Sequence, residues 1–138
     1  MSVHITTFTQ NGKTHASTGS KWEPKMGYSR AVRAGNHIYV TGSVGVNADG
    51  SYPQTLAGQT ERSIEIILAA ISALGGKPTD VVRTRIFATD ITKWEEIAGV
   101  HGRVFGEIRP ATTIVGVAKL IDDAALIEIE ADAYVMDG

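Results

Sequence analysis

The sequence predicts an α+β fold in which two helices pack on one face of a mixed sheet. Three observations support this prediction: short segments alternate apolar and polar residues, two longer segments have helical periodicity, and glycine-rich turns separate them. Because 138 residues is a usual size for one domain, we expect one hydrophobic core. The predicted order of elements is ββαβαββ.

The first 27 residues are predicted to form an N-terminal arm ahead of a single domain at residues 28–138. The arm is rich in Ser, Thr, Gly and Lys, which favours a loose segment with at most one edge strand at residues 5–8. It has neither the charged start nor the apolar core of a signal peptide, and no run is long enough for a membrane span. The lack of cysteine suits a reducing compartment, so we expect a cytoplasmic protein.

Two strands, at residues 29–34 and 37–43, open the predicted domain. Gly35-Asn36 between them has the composition of a two-residue hairpin turn. Residues 55–74 then repeat apolar side chains at helical spacing, and Gly75-Gly76 ends that helix.

The second half of the predicted domain begins with a strand at residues 81–88. A second helix follows, and Thr92 and Glu95 have the spacing of a capping box at its start. It runs to about Phe105, and Gly106 is placed to end it.

Two closing strands are predicted at residues 111–120 and 126–135, with a turn at Asp122-Asp123. The last strand alternates apolar residues with Glu128, Glu130 and Asp132, so one of its faces is acidic. Arg83 and Arg85 on the strand at residues 81–88 are natural cross-strand partners. Since two helices cannot cover both faces of the sheet, this semi-polar face either closes against sister subunits or faces solvent.

Several kinds of site are not indicated by the sequence. Gly75-Gly76-Lys77-Pro78 has Pro78 where a phosphate loop needs Ser or Thr, and no dinucleotide fingerprint is present. The four histidines lack metal-ligand spacing, so neither a metal nor a cofactor is expected. With 13 basic and 15 acidic residues, the chain is not expected to bind nucleic acid.

Residues 28–135 resemble the Rid (RidA/YjgF-type) family of reactive-intermediate deaminases. The resemblance rests on the element order, Thr41-Gly42 after an alternating strand, the stretch Arg109-Pro110-Ala111-Thr112-Thr113, and the ending Ile127-Glu128-Ile129-Glu130-Ala131. It implies a chorismate-mutase-like fold and a homotrimer with three small-molecule clefts between subunits. It also implies cofactor-free hydrolysis of enamines and imines, such as 2-aminoacrylate and 2-iminopropionate, to 2-keto acids and ammonia.

The same resemblance implies roles for individual residues. Glu128 matches the glutamate that positions the attacking water, and Tyr28 matches an aromatic lid residue. Thr41 and Gly42 match a Ser-Gly pair whose backbone approaches the ligand. From the chemistry alone, Glu128 is equally suited to an ion pair with an arginine of the neighbouring strand, and Tyr28 to ordinary packing at a strand start.

The loop after the second helix departs from the family pattern. Family deaminases have an arginine just after Pro-Ala that grips the substrate carboxylate, and Thr112 occupies that place here. A hydroxyl cannot neutralise a carboxylate, so Arg109 is the candidate clamp, with a subunit-interface ion pair as its alternative role. Ile114 stands where some members have a cysteine, which makes the pocket wall less polar.

Two other functions remain open from the sequence. One is a trimer that binds small metabolites in the same clefts without turning them over. The other is the ribonuclease activity and inhibition of translation associated with the family, which the charge balance and the lack of a histidine pair support least. His101, beside apolar helix residues, is expected to be a half-buried histidine rather than a catalytic base.

Overall fold

The computed structural model describes residues 2–136 and contains a seven-stranded sheet with three α-helices. Across the sheet the strand order is β1-β2-β3-β4-β7-β5-β6; β5 and β6 are parallel, and the other neighbouring pairs are antiparallel. The strands are β1 (Thr6–Gln10), β2 (Lys13–Ser17), β3 (Ala31–Ala34), β4 (His37–Val44), β5 (Val81–Ala88), β6 (Ala111–Gly116) and β7 (Ile127–Tyr134). The helices are α1 (Trp22–Met26), α2 (Leu56–Ala73) and α3 (Trp94–Phe105).

From β3 onward, the long elements follow the predicted order ββαβαββ. The mixed sheet therefore confirms the α+β prediction. Ala34 pairs with His37 around the Gly35-Asn36 turn, where Gly35 has φ 61°. One strand is shorter than predicted, since β6 ends at Gly116 rather than at residue 120.

The N-terminal residues are more ordered than their composition indicates. Instead of a loose segment with one edge strand, the chain forms the β1–β2 hairpin, and β2 pairs with β3 through Ala16 and Ala31. The prediction of a loose segment is therefore wrong. The polar, threonine-rich composition that suggested it is what an exposed edge strand requires, because every residue of β1 is exposed.

Helix α3 does not begin with the predicted capping box, so that prediction is wrong. Asp90 accepts hydrogen bonds from both the amide and the hydroxyl of Thr92, at 3.1 Å from the amide nitrogen. With its hydroxyl engaged there, Thr92 lies within a 3-10 turn at Ile91–Lys93 instead of capping the helix.

The core lies between the sheet and the two long helices, as predicted. Apolar side chains of β4, β5 and β7 face α2 and α3 on one side of the sheet. Within the described residues, no helix has the length and apolar character that a membrane crossing requires. The largest apolar side chains that are less than 2% exposed are Ile38, Ile67, Ile71, Ile97, Ile127 and Ile129.

The opposite face of the sheet carries charged groups. Arg85 lies 3.1 Å from Glu130 and 3.5 Å from Asp132, and Arg83 lies 3.9 Å from Asp132. These contacts confirm the predicted cross-strand ion pairs between β5 and β7. Tyr39 on the same face is 51% exposed, so this surface is open in a single chain.

Candidate functional site

A cavity of about 800 Å³ opens where β4 ends and β7 begins. Its size and mixed polarity are typical of a small-molecule site. Its walls come from the segment before β3, the end of β4, the loop after β4 and the start of β7. Four of the predicted site residues line it: Tyr28, Thr41, Gly42 and Glu128.

The carboxylate of Glu128 lies directly against Gly42. In the sheet, Glu128 pairs with Val44 of β4 on one side and Phe87 of β5 on the other. A Cβ atom on Gly42 would collide with the Oε2 oxygen of Glu128. The close approach of the two groups therefore depends on a glycine at position 42.

Nearby groups have opposing effects on the pKa of Glu128. Burial raises the pKa of its carboxyl above the ordinary value, the nearby Arg30 charge opposes that rise, and Glu130 adds to it. The alternative ion pair with an arginine of β5 is not supported, since Arg83 and Arg85 bind Glu130 and Asp132 instead. Glu128 is a partly buried carboxylate that faces a cavity, which is the setting of a general base.

Thr41 and Tyr28 are held at the cavity by the backbone of the segment before β3. The Thr41 hydroxyl donates to the Ser29 carbonyl at 2.6 Å, and the Thr41 amide donates to the Arg30 carbonyl at 2.9 Å. Tyr28 follows Gly27, whose φ of 75° ends helix α1. The phenol of Tyr28 is thereby placed in the cavity wall.

Most lining residues were not predicted from the sequence, and among them the charged or polar Arg30, Tyr52 and Asp122 bear on Glu128 or on one another. The Tyr52 hydroxyl donates to an Asp122 oxygen at 3.3 Å. Burial, with the charges of Asp122 and Glu128, raises the pKa of Tyr52 to about 12. Arg30 lies just before β3, outside the strand, and its burial depends on acceptors in β4 that no sequence pattern indicates. Tyr52 lies in a loop, where the sequence has no periodic signal.

The other predicted residues, Arg109, Thr112 and Ile114, lie apart from the cavity in a single chain. They belong to β6 and the loop before it, and β5 separates β6 from β7. Arg109 is exposed with φ 57°, and Ile114 on β6 is 37% exposed. Their place in the site stays a prediction, which needs the edge of a second chain to reach the cavity.

The Thr112 hydroxyl already has partners within its own chain. It donates to the Pro110 carbonyl at 3.2 Å and lies 2.9 Å from the Thr84 hydroxyl. Thr84 in turn lies 2.9 Å from the Nε2 atom of His101. A ligand at Thr112 would meet a hydroxyl whose orientation is set by this row of hydrogen bonds.

His101 is half-buried, in agreement with the sequence. Its ring lies 4.7 Å from that of Phe105, and burial lowers its pKa. Among the residues that the structure describes, no group of three or more histidine and carboxylate side chains is arranged to hold a metal ion.

Comparisons with known proteins agree on the family. The profile of the endoribonuclease L-PSP family matches residues 18–135. A Mycobacterium tuberculosis member of the YjgF/YER057c/UK114 family has a similar structure, with TM-score 0.83, 44% identity, and coverage of 89% of this chain and 99% of that one.

Two Escherichia coli proteins are also similar. The 2-iminobutanoate/2-iminopropanoate deaminase of strain K12 is 34% identical over 110 residues, which are 77% of this chain and 85% of that protein. The structure of TdcF with bound serine has TM-score 0.75 and 28% identity, and covers 79% of this chain and 88% of that one. The chain therefore belongs to the endoribonuclease L-PSP family, the YjgF/RidA/UK114 family to which its sequence bears a resemblance.

Proposed function

We propose that this protein is a cytoplasmic, cofactor-independent hydrolase that converts small 2-imino acids, and the enamines that tautomerise to them, to 2-keto acids and ammonia. The observation that carries the proposal is the Glu128 carboxylate, seated on Gly42 in a cavity of about 800 Å³. The deaminase name of the E. coli relative and the serine bound to TdcF support a small amino-acid-like substrate.

In the proposed reaction Glu128 is the base that activates water. The carboxylate accepts a proton while the water oxygen bonds to the imine carbon, which gives a carbinolamine. That proton passes to the imine nitrogen as the carbinolamine forms. Glu128 then accepts the proton of the new hydroxyl and passes it to the amino group, so that the carbonyl forms, the carbon–nitrogen bond breaks and ammonia leaves. One water is consumed for each imine, and Glu128 ends in its starting state.

The substrate is oriented in this proposal by two chains. Tyr28, Thr41 and Gly42 supply one wall of the cleft, beside Glu128. Arg109 of a neighbouring subunit would bind the substrate carboxylate, since a guanidinium suits a planar anion. Thr112 would donate one hydrogen bond, and Ile114 would form an apolar wall. The assembly is a homotrimer whose open sheet faces and exposed β6 edges meet its sister chains.

A second candidate function is binding without turnover. It is favoured by the Thr112 hydroxyl, which is engaged with Thr84 and Pro110 at the position where the resemblance leads us to expect an arginine. If no cation reaches the substrate carboxylate, a ligand is held by the cavity wall alone and is not activated.

The test is capture of 2-iminopropionate, generated by an amino-acid oxidase, with semicarbazide. Wild-type protein should lower the yield of trapped imine by hydrolysing it first. Glu128→Gln should lose this effect because the amide cannot accept the proton from water. The matched control is Glu130→Gln, two residues along β7, whose carboxylate binds Arg85 at 3.1 Å.

Each outcome separates the two functions. Loss of imine hydrolysis in Glu128→Gln, with hydrolysis retained in Glu130→Gln, supports the hydrolase function. If wild-type protein leaves the trapping rate unchanged but binds 2-keto acids in calorimetry, the hydrolase proposal fails and the binding function takes its place.

A further inference from the structure

Arg30 is a buried cation beside the cavity, with only 7% of its surface exposed. Its Nη1 atom donates to the Gly42 carbonyl at 2.8 Å and to the Ser43 hydroxyl at 3.3 Å. Both acceptors belong to β4, so the guanidinium fastens the segment before β3 to the end of β4. A planar group with fixed donors suits this task better than a flexible ammonium.

The counterion of Arg30 is held at a distance. The nearest oxygen of Glu23 lies 3.8 Å from Nη2, and the same oxygen accepts from the amide and hydroxyl of Thr18 at 3.3 and 3.0 Å. Tyr28 contributes a weak contact, with its hydroxyl 3.4 Å from Nη2. The Nε atom is buried and has no hydrogen-bond partner among residues 2–136. The arginine charge is therefore incompletely compensated by Glu23 and acts on other groups nearby.

Gly42 connects Arg30 to Glu128. Its carbonyl accepts from the guanidinium, and its Cα surface is in contact with the Glu128 carboxylate. If the carbonyl turned away, the surface on which the carboxylate rests would turn with it. The positive charge of Arg30 also lowers the pKa of Glu128 against the effect of burial, while Glu130 acts in the opposite direction.

We propose that Arg30 is a positioning residue of this site: its guanidinium fixes the Gly42 segment against which the Glu128 carboxylate lies, and places a positive charge near that carboxylate. The importance of this role for turnover rests on the proposed base function of Glu128. The physical coupling between Arg30 and Glu128 is independent of that proposed function, and it can be measured without any substrate.

The experiment follows the Glu128 carboxyl by carbon-13 NMR during a pH titration of protein labelled at glutamate side chains. The signal that is missing from Glu128→Gln identifies the group. In Arg30→Gln the pKa of Glu128 should rise, because burial and Glu130 are no longer opposed. In the trapping assay, kcat should fall roughly 10-fold or more with little change in KM, since the proton acceptor is impaired.

Arg33→Gln is the matched control. Arg33 also lies in this part of the chain, on β3, and donates to two backbone carbonyls, those of Gly35 at 2.9 Å and Leu74 at 2.8 Å. It should leave the Glu128 titration unchanged. An unchanged titration in folded Arg30→Gln, or an equal shift in Arg33→Gln, would overturn the proposal.

Arg30→Lys separates charge from geometry and serves if the glutamine variant does not fold. The retained charge should keep the Glu128 titration near that of wild type. Loss of the planar guanidinium, which donates to the Gly42 carbonyl and the Ser43 hydroxyl, should still reduce kcat. A wild-type kcat in Arg30→Lys would refute the positioning role. If wild-type protein does not hydrolyse imines, the proposed function fails, and the NMR comparison of Arg30→Gln with Arg33→Gln alone decides the coupling.

Discussion

At position 42 a side chain would occupy the space of the Glu128 carboxylate. In Gly42→Ala the added Cβ would displace the Glu128 carboxylate, because the two cannot occupy their present places together. A misplacement of about 1 Å can reduce a rate about 100-fold, so we expect a loss of that order in the imine-trapping assay. The change in melting temperature should be small, since the carboxylate can move into the cavity.

The control for this substitution is Gly99→Ala in helix α3, where an added Cβ meets no atom of the described residues within 4 Å. It should leave activity unchanged and stabilise the protein by about 0.5–1 kcal/mol through the better helix propensity of alanine. Full activity in Gly42→Ala would show that the present position of the carboxylate is not required.

The partly buried carboxyl of Glu128 should lower stability at neutral pH. Burial raises the pKa of this carboxyl in the folded state above its ordinary value, so the folded state binds the proton more tightly than the unfolded state does. Stability contributed by the protonated form is lost as the pH rises through the raised pKa. Glu128→Gln should therefore melt at a higher temperature than wild type above that pKa, and the gap should narrow towards pH 4. A gap of constant size from pH 4 to 8 would contradict this.

For individual residues, the alternation of apolar and polar positions in strands predicted which side chains share a face of the sheet, but no such pattern predicted the loop residues of the cavity. The face of β7 that carries Glu128 follows from the spacing of its isoleucines and alanines, as does the pairing of Arg85 with Glu130. Tyr52 and Asp122 reach the cavity from loops, whose paths are set by tertiary contacts. The burial of Arg30 depends on acceptors on β4, twelve and thirteen residues away in sequence.

Among the elements, helix α2 has a cap that can be tested directly. The Thr55 hydroxyl accepts a hydrogen bond from the Gly58 amide at 2.9 Å, and this amide has no partner within the helix. Thr55→Ala should lower the free energy of unfolding by about 1 kcal/mol, measured by urea denaturation. Thr55→Ser keeps the acceptor and should stay close to wild type. Equal losses in both variants would mean that the methyl group, rather than the cap, matters.

The elements that the sequence could predict are those with strong apolar periodicity. Strong periodicity located β4, β5, β7 and α2 to within about two residues. The start of α3 was predicted wrongly because the Thr92 hydroxyl donates a hydrogen bond to Asp90, two residues earlier, and does not cap the helix. The β1–β2 hairpin was not predicted because β1 is mostly polar, each of its residues is exposed, and it has no apolar alternation.

At the scale of the whole molecule, one chain holds only half of the proposed cleft. Glu128 and Gly42 lie at the cavity, whereas Arg109 lies in the loop leading to the edge strand β6, which β5 separates from β7. In a threefold ring each interface joins two different surfaces, so every chain can contribute one half to each of two clefts. The proposed homotrimer therefore has a functional consequence: each cleft combines residues of two chains. Measuring the mass of the assembly does not test this.

Mixing two inactive variants tests this consequence. Glu128→Gln and Arg109→Ala should each be nearly inactive in the trapping assay. In randomly mixed trimers, about a quarter of the clefts combine an intact Glu128 with an intact Arg109 from the neighbour, so about that fraction of wild-type activity should return.

The control mixes Glu128→Gln with Gly42→Ala, whose changes lie in the same half of the cleft. No mixed trimer of these two has a cleft in which both groups are intact, so no activity should return. Native mass spectrometry verifies that the chains have mixed, with assemblies near three times the 14.7 kDa of one chain. If mixed trimers of Glu128→Gln and Arg109→Ala stay inactive, Arg109 does not complete the neighbour's cleft, and the cation that binds the substrate must come from the chain that carries Glu128.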